Sequence, residues 1–217
     1  MRSLFGIGFG LWLAALASSP ALAQADGAAD VPLLEKMRRV EADPALSEAA
    51  FKRGAKLSNF CANCHGANGN STTPDTPNLA GQNPRYVLGQ MLKFADGRRR
   101  NEFMQGLIKA MSADERIDTA LYFSRQPVTT QPSADAALVA QGKSYYDKVC
   151  FRCHGADGHG NESYARLAGQ QMPYVTRTLT RYREGGGTRM DPLMAAATQQ
   201  MDDATIRAVA AYVSSLR

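Results

Sequence analysis

Histidine, cysteine and tryptophan are scarce in this chain of 217 residues, which has three histidines, four cysteines and one tryptophan. Beyond the first 23 residues, no segment is apolar enough to span a bilayer. No basic stripe interleaved with aromatic residues accompanies the net charge of +5, so nucleic-acid binding is not indicated. Alternating apolar runs long enough for strands are also missing, and the periodicity is helical. The sequence therefore predicts an all-α fold.

The first 23 residues have the pattern of a cleaved secretory signal peptide. An early arginine is followed by an apolar run over residues 4–17 and then by Ala21-Leu22-Ala23, a small-x-small cleavage site. An uncleaved membrane anchor is the alternative, because the uncharged stretch is nearly long enough to span a bilayer. Pro20 and the cleavage pattern argue against an anchor. We therefore expect export to the periplasm, cleavage near Ala23 and a mature chain that begins at Gln24.

The chain after this segment repeats itself. The run Cys61-Ala-Asn-Cys64-His65-Gly66-Ala67 returns 89 residues later as Cys150-Phe-Arg-Cys153-His154-Gly155-Ala156, and the Leu-Ala-Gly-Gln run that ends at Gln82 returns 88 residues later at Gln170. A nearly constant offset indicates a duplicated unit. Two prolines and short polar residues between 126 and 133 are typical of a linker. The predicted organisation is a signal peptide at 1–23, an N-terminal extension at 24–46, and two domains at 47–126 and 133–217.

Each domain is predicted to contain three helices. The first helix leads into the cysteine motif and has Ser47 or Ser133 as its N-cap, and the last helix of the first domain begins with a Ser-x-x-Glu capping box at Ser112. Domains of about 80 residues bury little apolar surface and usually need an additional stabilising element, which a covalently bound haem would provide. The predicted ranges are 47–59, 83–95 and 112–123 in the first domain and 133–148, 172–183 and 202–216 in the second.

Each cysteine pair is followed directly by a histidine, in the spacing Cys-x-x-Cys-His. On a helical turn these three side chains share one face. Both thiols can therefore add to the vinyl groups of one porphyrin while the histidine nitrogen reaches its iron, and this spacing is typical of c-type haem attachment. We predict two covalently bound haem c groups, one held by Cys61, Cys64 and His65 and the other by Cys150, Cys153 and His154.

Other uses of four cysteines explain less of the pattern. A four-cysteine zinc site would join pairs separated by 85 residues and would leave both adjacent histidines without a role. A thioredoxin-like dithiol needs a βαβ context, which this sequence does not show. Disulfides within each pair would be strained and would also leave the histidines unexplained.

Methionine is the predicted sixth iron ligand. Once two histidines serve as proximal ligands, only His159 remains, so bis-histidine ligation of both haems is impossible within one chain. Two methionine pairs recur in the repeat. Met111 and Met201 stand just before helix caps, where an apolar residue packs on the first turn. Met104 and Met194, expected in the loop before the last helix, have no such role and are the predicted ligands.

The two units resemble class I cytochrome c domains in tandem, as in the periplasmic dihaem cytochromes of the c4 type, over about residues 47–217. In that family the ligand methionine lies seven residues before the apolar residue that precedes the last helix, a rule that also selects Met104 and Met194. A proline carbonyl supports the proximal histidine in that family. Pro77 matches this proline, whereas Ala165 stands at the corresponding place in the second half.

The resemblance also implies that the first and last helices cross at Gly54 and Gly142, and that the haems meet at the domain interface through their propionates. With methionine as sixth ligand, neither iron offers a substrate site, so we expect an electron carrier and not an enzyme. The expected redox partners are a cytochrome bc-type complex, a periplasmic dehydrogenase and a terminal oxidase, and peripheral membrane association is compatible with them. The alternatives are the dihaem subunit of a flavin-dependent sulfide dehydrogenase, and a dihaem peroxidase or thiosulfate-oxidising enzyme.

A basic run at Arg98-Arg99-Arg100 allows three interpretations, of which the simplest is a solvated charged face. If it is exposed, it would steer the first domain towards an acidic partner. Alternatively, Arg99 and Arg189, which match at an offset of 90 residues, would pair with haem propionates.

Overall fold

The computed structural model describes residues 30–129 and 135–217. The predicted signal peptide, Ser133 and the second half of the predicted linker lie outside these ranges. The helices within them gather around two separate apolar cores. The first unit contains α1 (Val31–Ala42), α2 (Pro44–His65), α3 (Pro84–Ala95), α4 (Glu102–Ala110) and α5 (Ala113–Ser124), and the second contains α6 (Ala136–Tyr146), α7 (Phe151–His154), α8 (Met172–Glu184), α9 (Pro192–Thr198) and α10 (Asp203–Ser215).

Helix α2 begins three residues earlier than the sequence predicted, at Pro44. The Asp43 carboxylate accepts hydrogen bonds from two backbone N–H groups of the first turn, at 2.8 and 3.1 Å, and proline suits this turn because it has no N–H to satisfy. Ser47, the predicted cap, lies buried inside the helix, where its hydroxyl accepts a hydrogen bond from the Arg125 guanidinium. The prediction of Ser47 as N-cap is therefore wrong.

The N-terminal extension, which has no counterpart in the second half, contains helix α1. Met37 on this helix is 0% exposed and belongs to the first core, and three further apolar residues of α1 pack beside it. An ion pair between Lys36 and Asp114 joins α1 to α5. The helix therefore packs as part of the first unit.

In each unit the leading and closing helices cross at a glycine. A Cβ atom on Gly54 of α2 would lie 2.7 Å from Tyr122 Cβ on α5, and a Cβ atom on Gly142 of α6 would lie 2.8 Å from Tyr212 Cβ on α10. Both distances are far inside van der Waals contact, so only glycine lets the two backbones approach this closely. The predicted crossings are confirmed.

The closing helices begin where the sequence predicted. The Ser112 hydroxyl accepts a hydrogen bond from the Glu115 N–H at 3.3 Å, and the Glu115 carboxylate accepts one from the Ser112 N–H at 2.8 Å, which completes the capping box of α5. In the second unit the Asp202 carboxylate caps α10 through the Thr205 N–H at 2.7 Å.

The all-α prediction is confirmed for the described ranges. Within them, the backbone pairing of strand type is limited to one isolated antiparallel bridge between Arg99 and Arg189. None of the helices in the described part of the chain combines the length and apolarity needed to cross a bilayer.

Candidate haem-binding sites

The first cysteine motif occupies the last turn of α2. Cys61 is half-buried, Cys64 is exposed, and His65 ends the helix. Gly66 follows with φ of 79°, a backbone conformation that favours glycine. Burial raises the pKa of the Cys61 thiol. The helical turn brings both thiols and the imidazole to one face, as the spacing predicted.

The second motif lies on a helical turn that follows α6 and ends in α7. Cys150 packs against the second core, and burial raises the pKa of its thiol to about 12. Cys153 is partly exposed and His154 is buried. None of the four cysteines forms a disulfide, which argues against the disulfide interpretation. The described residues contain no group of three or more potential metal-ligating side chains from His, Cys, Asp or Glu, which argues against the zinc site.

Both motif histidines are held by a backbone carbonyl. The Nδ1 atom of His65 lies 2.9 Å from the Pro77 carbonyl oxygen, and that of His154 lies 2.8 Å from the Ala165 carbonyl oxygen. Because a carbonyl only accepts, each Nδ1 carries the proton and each Nε2 keeps a free lone pair. Burial lowers the pKa of both imidazoles, which favours the neutral form that binds metal. Ala165 thus provides the same support as Pro77, since the carbonyl is the group that matters.

Met104 and Met194 lie on short helices, α4 and α9, where the sequence predicted a loop. Asn101 and Asp191 cap these helices and accept hydrogen bonds from the backbone N–H groups of Met104 at 2.9 Å and Met194 at 3.1 Å. An Asn or Asp three residues before each methionine was the available sequence signal. Both methionine side chains are half-buried against the core of their own unit. They therefore have packing contacts that the sequence analysis did not assign.

The two units meet at a pair of half-buried arginines. The Arg99 guanidinium donates to the Tyr174 hydroxyl at 3.3 Å. The Arg189 guanidinium donates to the Tyr174 hydroxyl at 3.4 Å and also to the Tyr86 hydroxyl. Burial would raise the pKa of Tyr174, but the two guanidinium groups outweigh it and lower that pKa to about 8. The interface therefore brings two guanidinium groups together around one phenol.

The chemistry of this arginine pair fits the acidic edge of a haem. In the described ranges the hydrogen-bond partners of Arg99 and Arg189 are the neutral phenol groups and the amide of Gln90. Burial and the charge of Arg189 lower the pKa of Arg99. Propionate carboxylates would relieve this like-charge contact through charge-assisted hydrogen bonds. With free thiols and neutral imidazoles in both units, the residues present fit one haem per unit.

The exposed basic run predicted at Arg98-Arg99-Arg100 does not form. Arg98 is bound by Asp30 and Asp96, each at 2.6 Å, and Arg99 turns into the interface between the units. Arg98 and Arg100 are both exposed, but Arg98 is paired with these two carboxylates. The ion pairs of Arg98 reduce the free charge of the run, and steering by this segment stays a prediction. The position of Arg99 opposite Arg189 favours the propionate alternative for Arg99.

Family models match both units. A cytochrome c model matches residues 51–122, and a model of cytochrome c oxidase, cbb3-type, subunit III matches residues 137–213.

Relatives match most of the chain. It is 36% identical over 171 residues to cytochrome c4 of Pseudomonas aeruginosa, which covers 72% of this chain and 83% of the relative. It is 31% identical to a thiosulfate dehydrogenase electron acceptor of Thiomonas intermedia, which covers 71% of this chain and 77% of that protein. The crystal structure of reduced recombinant cytochrome c4 from Pseudomonas stutzeri has a TM-score of 0.70 at 30% identity, which covers 76% of this chain and 98% of that one.

These matches confirm the predicted fold of two tandem class I cytochrome c domains. The chain carries two covalently bound haem c groups, and its two Cys-x-x-Cys pairs fit their attachment. The chain belongs to the cytochrome c4 family of dihaem electron-transfer proteins.

Proposed function

We propose that this protein is a periplasmic dihaem carrier of single electrons and has no catalytic site. The observation that carries the proposal is that each unit holds a neutral histidine with a free Nε2 and presents a methionine on a separate short helix. His65 and Met104 would bind the iron of the first unit, and His154 and Met194 would bind the iron of the second. If all four side chains bind, neither iron would offer a vacant position to a substrate.

The chain's own residues orient and tune the bound groups. A haem supplies a one-electron couple, and methionine sulfur with partial burial favours a high reduction potential. The carbonyls of Pro77 and Ala165 fix the tautomer and ring orientation of the two histidines. Arg99 and Arg189 would hold the propionates at the interface, so that electrons pass between the two units inside the protein.

The comparisons support a position between a dehydrogenase and an oxidase. One relative is named as the electron acceptor of a thiosulfate dehydrogenase, and the second unit matches a subunit of a cbb3-type oxidase. We infer that this chain accepts electrons from a periplasmic dehydrogenase or a cytochrome bc-type complex and passes them to a terminal oxidase. The signal peptide at 1–23 would bring it to the compartment where these partners expose their redox sites.

The test is whether either iron has an open position. In the purified dihaem protein we expect low-spin spectra in both oxidation states, and slow, substoichiometric binding of carbon monoxide to the reduced form, because a protein ligand must leave first. Met194→Ala is the positive control, since it should open one iron and bind carbon monoxide rapidly. Rapid binding at one haem of the unmodified protein, together with turnover of peroxide or thiosulfate, would contradict the carrier proposal and favour an enzyme.

A further inference from the structure

A pair of exposed cations flanks the second cysteine motif. Lys148 and Arg152 are four residues apart on a segment whose backbone hydrogen bonds are helical, from the Cys150 N–H to the Tyr146 carbonyl and from the His154 N–H to the Cys150 carbonyl. Residues at this spacing lie on the same face. Both side chains are exposed, and within residues 30–129 and 135–217 neither takes part in an ion pair or a side-chain hydrogen bond.

Within the described residues, no acidic side chain contacts Lys148 or Arg152. Asp147, the neighbour of Lys148 in the chain, is paired with Lys143. Because Asp147 is already neutralised by Lys143, it does not offset the positive charges of Lys148 and Arg152.

The first cysteine motif presents a different surface on the same backbone. Asn59 and Asn63 occupy the positions that correspond to Lys148 and Arg152 at the offset of 89 residues, and both are exposed and neutral. Lys56, one turn earlier on α2, is the nearest cation in the chain that lacks an ion pair in the described ranges. The two units therefore differ in charge at the point where each carries its cysteines.

The location of the pair connects it with electron transfer. Lys148 and Arg152 flank Cys150 and lie beside Cys153, the residues that would hold the haem of the second unit. Phe151, between Lys148 and Arg152 in the chain, is 39% exposed and adds an apolar contact to the same face. Positive charge beside an apolar contact steers an acidic protein surface towards its docking position.

We propose that Lys148, Phe151 and Arg152 form a basic docking surface that binds the acidic face of a redox partner protein at the second unit. This inference rests on the proposed carrier function and adds the chemistry of the partner. The step is the transfer of one electron from the ferrous haem of the second unit to an oxidised metal centre of the partner, or the reverse, and no covalent bond forms or breaks. The first unit has the neutral Asn59 and Asn63 at the corresponding positions and therefore lacks this surface. Acidic partner proteins would dock on the second unit.

The experiment uses a gold electrode coated with a carboxylate-terminated monolayer as a model of the acidic partner. The variant of the dihaem protein carries Lys148→Asn and Arg152→Asn, which gives the second unit the two asparagines that the first unit has at the corresponding positions. At low ionic strength we expect its electron-exchange rate to fall about tenfold or more, the scale of electrostatic steering. The midpoint potentials should not change. The difference should vanish in about 1 M salt, where charges are screened within roughly 3 Å.

Two further variants isolate the position of the charge. Adding Asn59→Lys and Asn63→Arg to the double variant transplants the cations to the first motif and should restore the rate. Lys56→Asn with Lys109→Asn removes the same net charge from exposed lysines of the first unit and should leave the rate unchanged.

Each contrary outcome has a distinct meaning. A Lys148→Asn, Arg152→Asn variant that exchanges electrons as fast as the unmodified protein would overturn the docking surface while leaving the carrier function intact. A Lys56→Asn, Lys109→Asn control that slows as much as that variant would overturn it as well. Binding to phosphatidylglycerol vesicles that depends on Lys148 and Arg152, without an effect on electron exchange, would assign the surface to a membrane and also overturn the inference. The carrier function would instead be overturned if the unmodified protein exchanged no electrons with carboxylate-, hydroxyl- or ammonium-terminated monolayers and also bound carbon monoxide rapidly.

Discussion

Gln170 in the second unit forms two hydrogen bonds with the backbone of Asn78 in the first unit. Its side-chain oxygen accepts from the Asn78 N–H at 2.8 Å, and its side-chain nitrogen donates to the Asn78 carbonyl at 3.1 Å. Gln82 binds the backbone of Arg166 in the same way, at 2.7 and 2.9 Å. Asn78 and Arg166 each stand four residues before the glutamine of their own unit. The repeated Leu-Ala-Gly-Gln run is therefore a symmetric interface motif.

Removing one of these glutamines should weaken the contact between the units. Gln170→Ala leaves the buried N–H and carbonyl of Asn78 without their partner, a loss of about 1–3 kcal/mol in the free energy of unfolding. Denaturant unfolding of the dihaem protein measures this change. Gln200→Ala, at an exposed position, is the control and should change the stability little. Equal losses in the two variants would show that the Gln170 contact does not stabilise the interface.

Replacement of the proposed methionine ligands should change the optical spectrum. Met104→Ala or Met194→Ala should remove about half of the weak red absorption band that methionine sulfur gives to ferric haem, and should lower one of the two midpoint potentials because sulfur ligation raises them. Spectroscopic redox titration records both effects. Met111→Ala and Met201→Ala are the matched controls, because each removes a methionine side chain that packs at a core without being a proposed ligand. If a control variant loses the band instead, the ligand assignment is wrong.

Helix α1 should contribute strongly to stability. Met37 is 0% exposed, so Met37→Ala leaves a cavity and should cost about 2–5 kcal/mol of unfolding free energy. The helix also reaches the second unit, because Arg85 on α3 binds Glu41 of α1 at 2.7 Å and Glu162 of the second unit. Calorimetry or denaturant unfolding of the dihaem protein measures the loss.

Met190→Ala is the matched control for the Met37 variant. Met190 is 77% exposed, and the same substitution there should change the free energy of unfolding by about 0.5 kcal/mol or less. A loss at Met37 that does not exceed the loss at Met190 would mean that α1 adds little to the stability of the first unit.

Features that depend on neighbours in the chain could be predicted from the sequence. The Cys-x-x-Cys-His spacing places three groups on one helical face, and the capping box at Ser112 starts α5 as expected. The short helices at Met104 and Met194 were missed, although Asn101 and Asp191 precede them at capping distance. Helices of this length carry too little periodicity to stand out from a loop.

The sequence by itself determined the repeat, the all-α class and the haem attachment motifs, because each follows from periodicity or spacing. The glycines at which helices cross were expected from the family resemblance, and the structure gives the reason, since a Cβ atom at Gly54 or Gly142 would overlap the closing helix. Only the tertiary structure decided the partners of Arg98 and Arg99, which are adjacent in the chain. Arg98 pairs with Asp30 of the extension, and Arg99 faces Arg189. The same is true of Gln170 and its contact with Asn78. These partners lie far away in the sequence, and an offset between repeats does not specify how two units pack. The packing of the two units depends on burial at the interface, where each buried polar group needs a hydrogen-bond partner.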